Sequence, residues 1–213
     1  MQNRQGFGQT RFLITACLTA ASLSAGTAAS AAAETVSTQP AIVQDADATA
    51  DFAGGIFESN PVFLAGQPLR KEALVHLKQQ GVTHVVNLRT TEEINNPKAS
   101  PVNVEETSRE LGLAFTHLPA GGEAFPFAPA MVDTLAGVMA EAETAGGKVL
   151  LHCASGRRAT HLWVAYLIRY QHLSADEAVA MGREASFGEL PLEGFLGTRL
   201  HYSTDPSTPA TAP

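Results

Sequence analysis

The sequence predicts an α/β fold, a parallel sheet of four to five strands flanked by helices. Three observations carry that reading. Short apolar runs alternate with helical patterns over roughly 145 residues, a length sufficient for one domain with a real core. Helices of this length between strands call for right-handed crossovers, and so for parallel strands covered on both faces. The run Lys148-Val149-Leu150-Leu151-His152 is the most apolar of the set, as a strand buried within such a sheet must be.

The elements follow in order. Pro61 to Ala65 reads as a short first strand. Leu69 to Gln80 places Ala73, Leu74 and Leu77 on one helical stripe, closed by Gly81 just past its end. Val82 to Leu88 is a second strand. Val104 to Leu111 reads as a helix stopped at Gly112, and Leu113 to Leu118 as a third strand. Pro129 to Ala145 is a long amphipathic helix ended by Gly146-Gly147. The fourth strand, Lys148 to His152, leads into a helix from about Arg158 to Tyr170. Ser174-Ala175-Asp176-Glu177 is a capping box that opens the last helix.

Outside these elements the composition changes. Residues 1–33 predict an export signal, with Arg4 and Arg11 before an apolar stretch and small residues at Ala29-Ser30-Ala31 or Ala31-Ala32-Ala33. The stretch is too short and too rich in Ala, Ser and Thr for a membrane span. Ile14-Thr15-Ala16-Cys17 resembles a lipoprotein box, but most of the apolar stretch follows Cys17, which favours ordinary cleavage and a periplasmic or secreted product. Residues 34–55 read as a flexible linker, 56–200 as the folded domain and 201–213 as a disordered tail.

Charge and cysteine content exclude several classes. The 213 residues carry a formal charge of −7 and two cysteines. Cleavage near Ala33 removes Arg4 and Arg11 and leaves 12 basic against 21 acidic residues, a net −9. No long basic cluster exists, which argues against a nucleic-acid partner. Two thiols are too few for a disulfide scaffold, an iron–sulfur cluster or a thiolate-rich zinc site. His76, His84, His117, His161, His172 and His201 show no metal-binding spacing, so neither metal nor cofactor is expected. Cleavage leaves Cys153 as a lone thiol, either buried and inert or reactive with a purpose.

Cys153 stands at the carboxyl end of the fourth strand, where ligands sit in such sheets. Around Gly156 the backbone of Ala154, Ser155, Gly156, Arg157 and Arg158 can curl so that its N–H groups point at an anion, aided by the positive end of the following helix. The same field favours the thiolate of Cys153 and makes it nucleophilic. An arginine adds a planar fork for two oxyanion oxygens. Arg89 ends the second strand on the same rim; it could assist anion binding or pair with Glu92 or Glu93. The plainer alternative to a reactive site is a buried structural cysteine before a helix that starts with two surface arginines.

The run His152-Cys153-Ala154-Ser155-Gly156-Arg157-Arg158-Ala159-Thr160 resembles the signature loop of the cysteine-dependent tyrosine and dual-specificity phosphatases. Phe63-Leu64-Ala65-Gly66-Gln67-Pro68 resembles the opening strand of that group. The resemblance is greatest to the bacterial beta-lactamase-hydrolase-like, phosphatase-like branch, and it covers about Phe57 to Gly188. It implies a dual-specificity-phosphatase-like fold with Cys153 as nucleophile, His152 tuning it, and Ala154 to Arg158 cradling the anion. It also places the Thr160 hydroxyl where it could help the thiol leave.

Two departures keep the chemistry open. The main phosphatase families place five residues between cysteine and arginine, a spacing that here ends on Ala159. The bacterial branch tends to four, which assigns the gripping role to Arg158. Rhodanese-type sulfurtransferases also use a short loop. The acid that phosphoryl transfer needs is normally an aspartate some thirty residues before the cysteine. That stretch, Pro119 to Pro126, offers Glu123 alone. The expected function is therefore hydrolysis of a phosphate monoester through a phosphocysteine at Cys153. The alternatives are a sulfurtransferase or persulfide-handling enzyme and a non-catalytic anion-binding module. The partner is a phosphorylated or sulfur-bearing small molecule or protein.

Overall fold

The structure is a computed structural model that describes residues 41–42, 49–188 and 192–202. The strands are β1 (Ala41–Ile42), β2 (Ile56–Ser59), β3 (Val62–Ala65), β4 (Val82–Asn87), β5 (Ala114–His117) and β6 (Lys148–His152). The helices are α1 (Lys71–Gln79), α2 (Thr91–Ile94), α3 (Val104–Leu111), α4 (Pro129–Thr144), α5 (Arg157–Tyr170), α6 (Ala175–Ala185) and α7 (Leu192–Leu196).

The strands form one sheet in the order β1-β2-β3-β6-β4-β5. Strands β3, β6, β4 and β5 run parallel, as the crossover argument requires. The expectation of a purely parallel sheet is corrected at one edge, where β1, β2 and β3 are antiparallel and the sheet is mixed. The cause is local: Asn60-Pro61 alone separates β2 from β3, and so tight a hairpin cannot join parallel strands.

The central strands alternate between two cores. Val62, Leu64, Val149 and Leu151 face the side covered by α4 to α7. Phe63, Ala65 and Leu150 face the side covered by α1 and α3. Because β6 is buried on both faces, every one of its apolar positions counts toward stability. Each such side chain contributes about 1.5–3 kcal/mol.

The stretch 34–55, expected as a flexible linker, is folded where the structure describes it. Ala41 and Ile42 pair with Glu58 and Phe57. Asp51 and Phe52 are buried, Asp51 against Arg70 and Phe52 within the α1-side core. A composition of Ala, Thr and Asp conceals this, because one aromatic and one ion pair supply the attachment. Of 201–213, expected as a disordered tail, only His201 and Tyr202 are described, and Tyr202 packs on the larger core. The expected signal 1–33, with Cys17, lies outside the described residues. No helix among the described residues is long and apolar enough to cross a membrane.

Candidate active site

Register brings the strand ends level. Ala65 pairs with His152, His152 with Asn87, and Asn87 with His117, so one row marks the carboxyl edge of the sheet. The next residue of β6, Cys153, sits directly beyond that edge, its amide donating to Ala65 O at 3.2 Å. Leu88 N holds the preceding peptide from the other side, donating to His152 O at 2.9 Å. Cys153 is thus fixed from both neighbouring strands, and it is buried.

The chain then turns through Ala154 and Ser155 into Gly156, whose φ of +91° suits glycine and starts α5. No side chain caps this helix. Its first-turn amides have no partner within the helix and remain available to a ligand, reinforced by the helix dipole. Among the described residues, no backbone acceptor takes the amides of Ala154 or Ser155 either.

Arg158 completes the loop. Its Nη1 donates to Leu88 O (3.2 Å), Ala120 O (2.6 Å) and Glu93 Oε2 (2.9 Å), while Nη2 donates to Glu93 Oε1 at 2.6 Å. A guanidinium has five N–H donors in a fixed fork. Among the described residues the Nε hydrogen and the second Nη2 hydrogen take no oxygen acceptor, and they lie on the side of Arg158 free to face the Cys153 side chain, with which it interacts. The pinned guanidinium can therefore present two donors to an oxyanion held at Cys153.

Burial opposes the charge on Glu93. The hydrogen bonds from Arg158 and the Thr90 amide, with the charges of Arg158 and Arg89, outweigh it and hold the carboxyl below its ordinary value. Glu93 is ionised at neutral pH and acts as a clamp, not a proton donor. Its place comes from a capping box: Thr90 Oγ1 accepts from Glu93 N, and Glu93 Oε2 accepts from Thr90 N at 2.8 Å. Sequence reasoning offered Glu93 only as a partner for Arg89; the signature Thr90-Thr91-Glu92-Glu93 would have placed it at a helix start, but nothing in it points to Arg158.

Arg89 itself is not a rim residue. It is buried, and Nη1 donates to Gln67 Oε1 at 2.8 Å and Ala99 O at 2.6 Å. The expected pairing with Glu93 is present at 3.9 Å. Arg89 ties Gln67, after β3, to Ala99, in the loop after α2.

The remaining expected residues separate. His152 is fully buried, and among the described residues neither ring nitrogen has a hydrogen-bond partner. Burial, with Arg89 and Arg158 adding to it against the Cys153 backbone, pushes its pKa down to about 3, so the ring is neutral. The Thr160 hydroxyl donates to Gly156 O at 3.1 Å and so is turned onto its own helix. Arg157 is exposed and lies over Gly188, outside the fork formed by Arg158. Glu123 sits exposed at the tip of a turn closed by Gly121 N to Phe125 O at 2.7 Å. Among the described residues no hydrogen bond or ion pair ties it to Cys153 or Arg158. The loop acid expected from the sequence is not brought to the thiol, because the turn carries its apex into solvent while only its base, at Ala120, touches Arg158.

Comparison with known proteins gives a concordant picture. The family model for the beta-lactamase hydrolase-like protein, phosphatase-like domain matches residues 63–167, a span from β3 through most of α5 that contains Glu93 and the whole Cys153–Arg158 loop. Over 122 residues the chain is 32% identical to human dual specificity protein phosphatase 26, covering 56% of this chain and 54% of that protein. Over 124 residues it is 30% identical to the beta-lactamase hydrolase-like protein of Xylella fastidiosa (strain 9a5c), covering 58% and 27%. The chain thus spans about half the length of the first relative and about a quarter of the second. In fold it is similar to Tk-PTP in the active form, with a TM-score of 0.51 at 22% identity over 64% of this chain and 88% of that one. The human tyrosine phosphatase-like serine/threonine/tyrosine-interacting protein gives 0.52 at 20% identity over 64% and 87%.

Proposed function

We propose that this chain, a relative of the cysteine-dependent phosphatases, hydrolyses phosphate monoesters through a phosphocysteine at Cys153. The observation that carries the reading is the fork of Arg158, held by Glu93 and two backbone carbonyls with two donors left for an oxyanion beside Cys153. In the first step the Cys153 sulfur attacks phosphorus. An S–P bond forms, the P–O bond to the leaving group breaks, and the leaving oxygen takes its proton from water. Loop amides and Arg158 hold the three equatorial oxygens, whose charge the helix dipole also favours. Water then attacks phosphorus, the P–S bond breaks, and inorganic phosphate and the free thiolate are released. Substrates whose leaving oxygen is a stable anion, such as aryl phosphates on a small molecule or a tyrosine, suit a site with no carboxylic acid against the thiol among the described residues. Export by cleavage near Ala33 is part of this proposal and rests on residues 1–33 of the sequence.

The experiment is turnover of p-nitrophenyl phosphate by the wild type and Cys153→Ser, with acid-quench trapping of radiolabelled phosphate on the protein. Wild-type turnover with label on Cys153, both lost in the variant, is the expected result.

One observation favours a second reading, sulfur transfer. The spacing from Cys153 to Arg158 is short, and the carboxylate nearest the fork, Glu93, is ionised and paired. Sulfur transfer from thiosulfate expels sulfite and needs no acid. Wild-type protein that consumes thiosulfate and cyanide but no phosphate ester would establish this reading instead.

A further inference from the structure

The segment Asp51–Gly55, which lies before the first predicted strand, runs beside the anion loop. Leu69 N donates to Asp51 O at 2.7 Å, Ala53 N to Gln67 O at 2.9 Å, and Gly66 N to Gly55 O at 3.2 Å. The segment is thus laced along residues 66–69. The other edge of the same strip touches the loop: Gln67 N donates to Ala154 O at 3.1 Å, and Gly66 bridges Ser155. Phe52 is buried and Asp51 is paired with Arg70, which anchors the segment at its start.

Two glycines make this layering possible. A Cβ on Gly66 would lie 1.5 Å from Ala53 O and 3.1 Å from Ala154 O. A Cβ on Gly54 would lie 2.7 Å from Ser155 O and 3.3 Å from Ser155 C. The Ser155 carbonyl occupies the space that any side chain at position 54 would need. In a trans peptide C=O and N–H point in opposite directions, so the direction of that carbonyl also fixes the Gly156 amide. A rotation of this peptide would displace Gly156 at the start of α5, and with it the helix N-terminus that favours an anion.

We propose that Asp51–Gly55 is a positioning segment for the anion loop, with Gly54 as the residue that admits the Ser155 carbonyl. The inference rests on the phosphatase reading for its ligand, but its geometry concerns the loop alone. It makes Gly54 a positioning residue, acting through Ser155 and touching no substrate.

Gly55 supplies a matched control. Its φ of +90° is as left-handed as the +79° of Gly54, yet the nearest atom to a Cβ there is Thr49 Cγ2 at 3.8 Å. Gly54→Ala and Gly55→Ala therefore carry similar backbone strain, and only the first meets the loop. Three quantities are compared in the full chain: melting temperature, orthovanadate affinity, and the rate of Cys153 alkylation by iodoacetate relative to iodoacetamide. The last ratio reports the anion cradle without assuming a phosphate substrate. Both variants should melt lower, Gly54→Ala the further because of its added contact with the Ser155 carbonyl. Gly54→Ala alone should weaken orthovanadate binding tenfold or more and reduce the iodoacetate preference. Equal effects of the two variants on affinity and ratio would overturn the proposal. If the wild type binds no orthovanadate, the phosphatase reading fails, and the alkylation ratios decide the positioning role alone. If Gly54→Ala does not fold, Asp51→Asn, which weakens the anchor to Arg70, takes its place. It must lower the ratio, and a wild-type ratio would overturn the inference.

Discussion

Glu93 grips Arg158 with both carboxylate oxygens, at 2.9 and 2.6 Å, although 65 residues separate them in sequence. The pair crosses from α2 to the start of α5 and fixes the plane of the guanidinium. A planar fork can serve two oxyanion oxygens only when its plane is set in advance, and Glu93 sets it before any ligand arrives.

Replacing Glu93 by glutamine should therefore weaken anion binding without removing any group that touches the anion. One side-chain oxygen becomes an NH2 that faces another donor. A hydrogen bond to a charged group is worth about 1.5–3 kcal/mol, or roughly tenfold to hundredfold in affinity. Orthovanadate titration of Glu93→Gln checks this. Wild-type affinity would show that Leu88 O and Ala120 O suffice to hold Arg158.

The two arginines should differ sharply. Arg158→Ala removes the fork and leaves Glu93 without its main partner, whereas Arg157 is exposed and has no ion pair among the described residues. Orthovanadate binding should fall by about a hundredfold or more in Arg158→Ala and change less than about threefold in Arg157→Ala. Arg158→Lys should not restore it, because an ammonium keeps the charge but loses the two-pronged geometry. Equal losses at both positions would refute the assignment.

His152 links the site to acid stability. Its pKa is about 3 in the fold against an ordinary 6.5. Between those values the unfolded chain binds a proton that the folded protein does not, so stability rises with pH and is lost on acidification. The slope from one such group is up to ~1.4 kcal/mol per pH unit, and it vanishes above the unfolded value. His161, also lowered chiefly by burial, acts in the same direction. Urea unfolding of His152→Asn should thus show a shallower loss of stability than the wild type between pH 6.5 and about 5. Parallel slopes would mean that His152 titrates normally in the fold.

The sequence made the parallel half of this fold legible, because short apolar runs and glycine-stopped helices leave local marks. Cys153 and Arg158 were legible for the same reason, since a strand, a curl and a helix start lie within one short run. What escaped was attachment across distance. The two-residue strand β1 has no pattern to detect, and the seating of Asp51–Gly55 depends on the absence of side chains at Gly54 and Gly66. The short helix at Thr91–Ile94 was not read from the sequence, and nothing local says that Glu93 reaches Arg158. Glu123 shows the converse. It was the one carboxylate on the right loop, and the turn between Gly121 and Phe125 directs it into solvent.

That geometry sets the dependence on the leaving group. General acid catalysis is worth about 10²–10⁴-fold for a leaving oxygen that departs poorly as an anion. With Glu123 at an exposed apex and Glu93 ionised against Arg158, no carboxylic acid among the described residues is poised to supply it. Aryl phosphates should therefore turn over faster than alkyl phosphates by about that same factor. Glu123→Gln should leave both rates within about twofold of wild type, an exposed side chain with no contact at the site having little to remove. The decisive measurement is kcat/KM for a series of phosphate esters of graded leaving-group acidity, in wild type and in Glu123→Gln. Two steep and superimposable plots are expected. If the wild-type plot is shallow and becomes steep only in the variant, the loop closes on substrate and Glu123 is the acid after all.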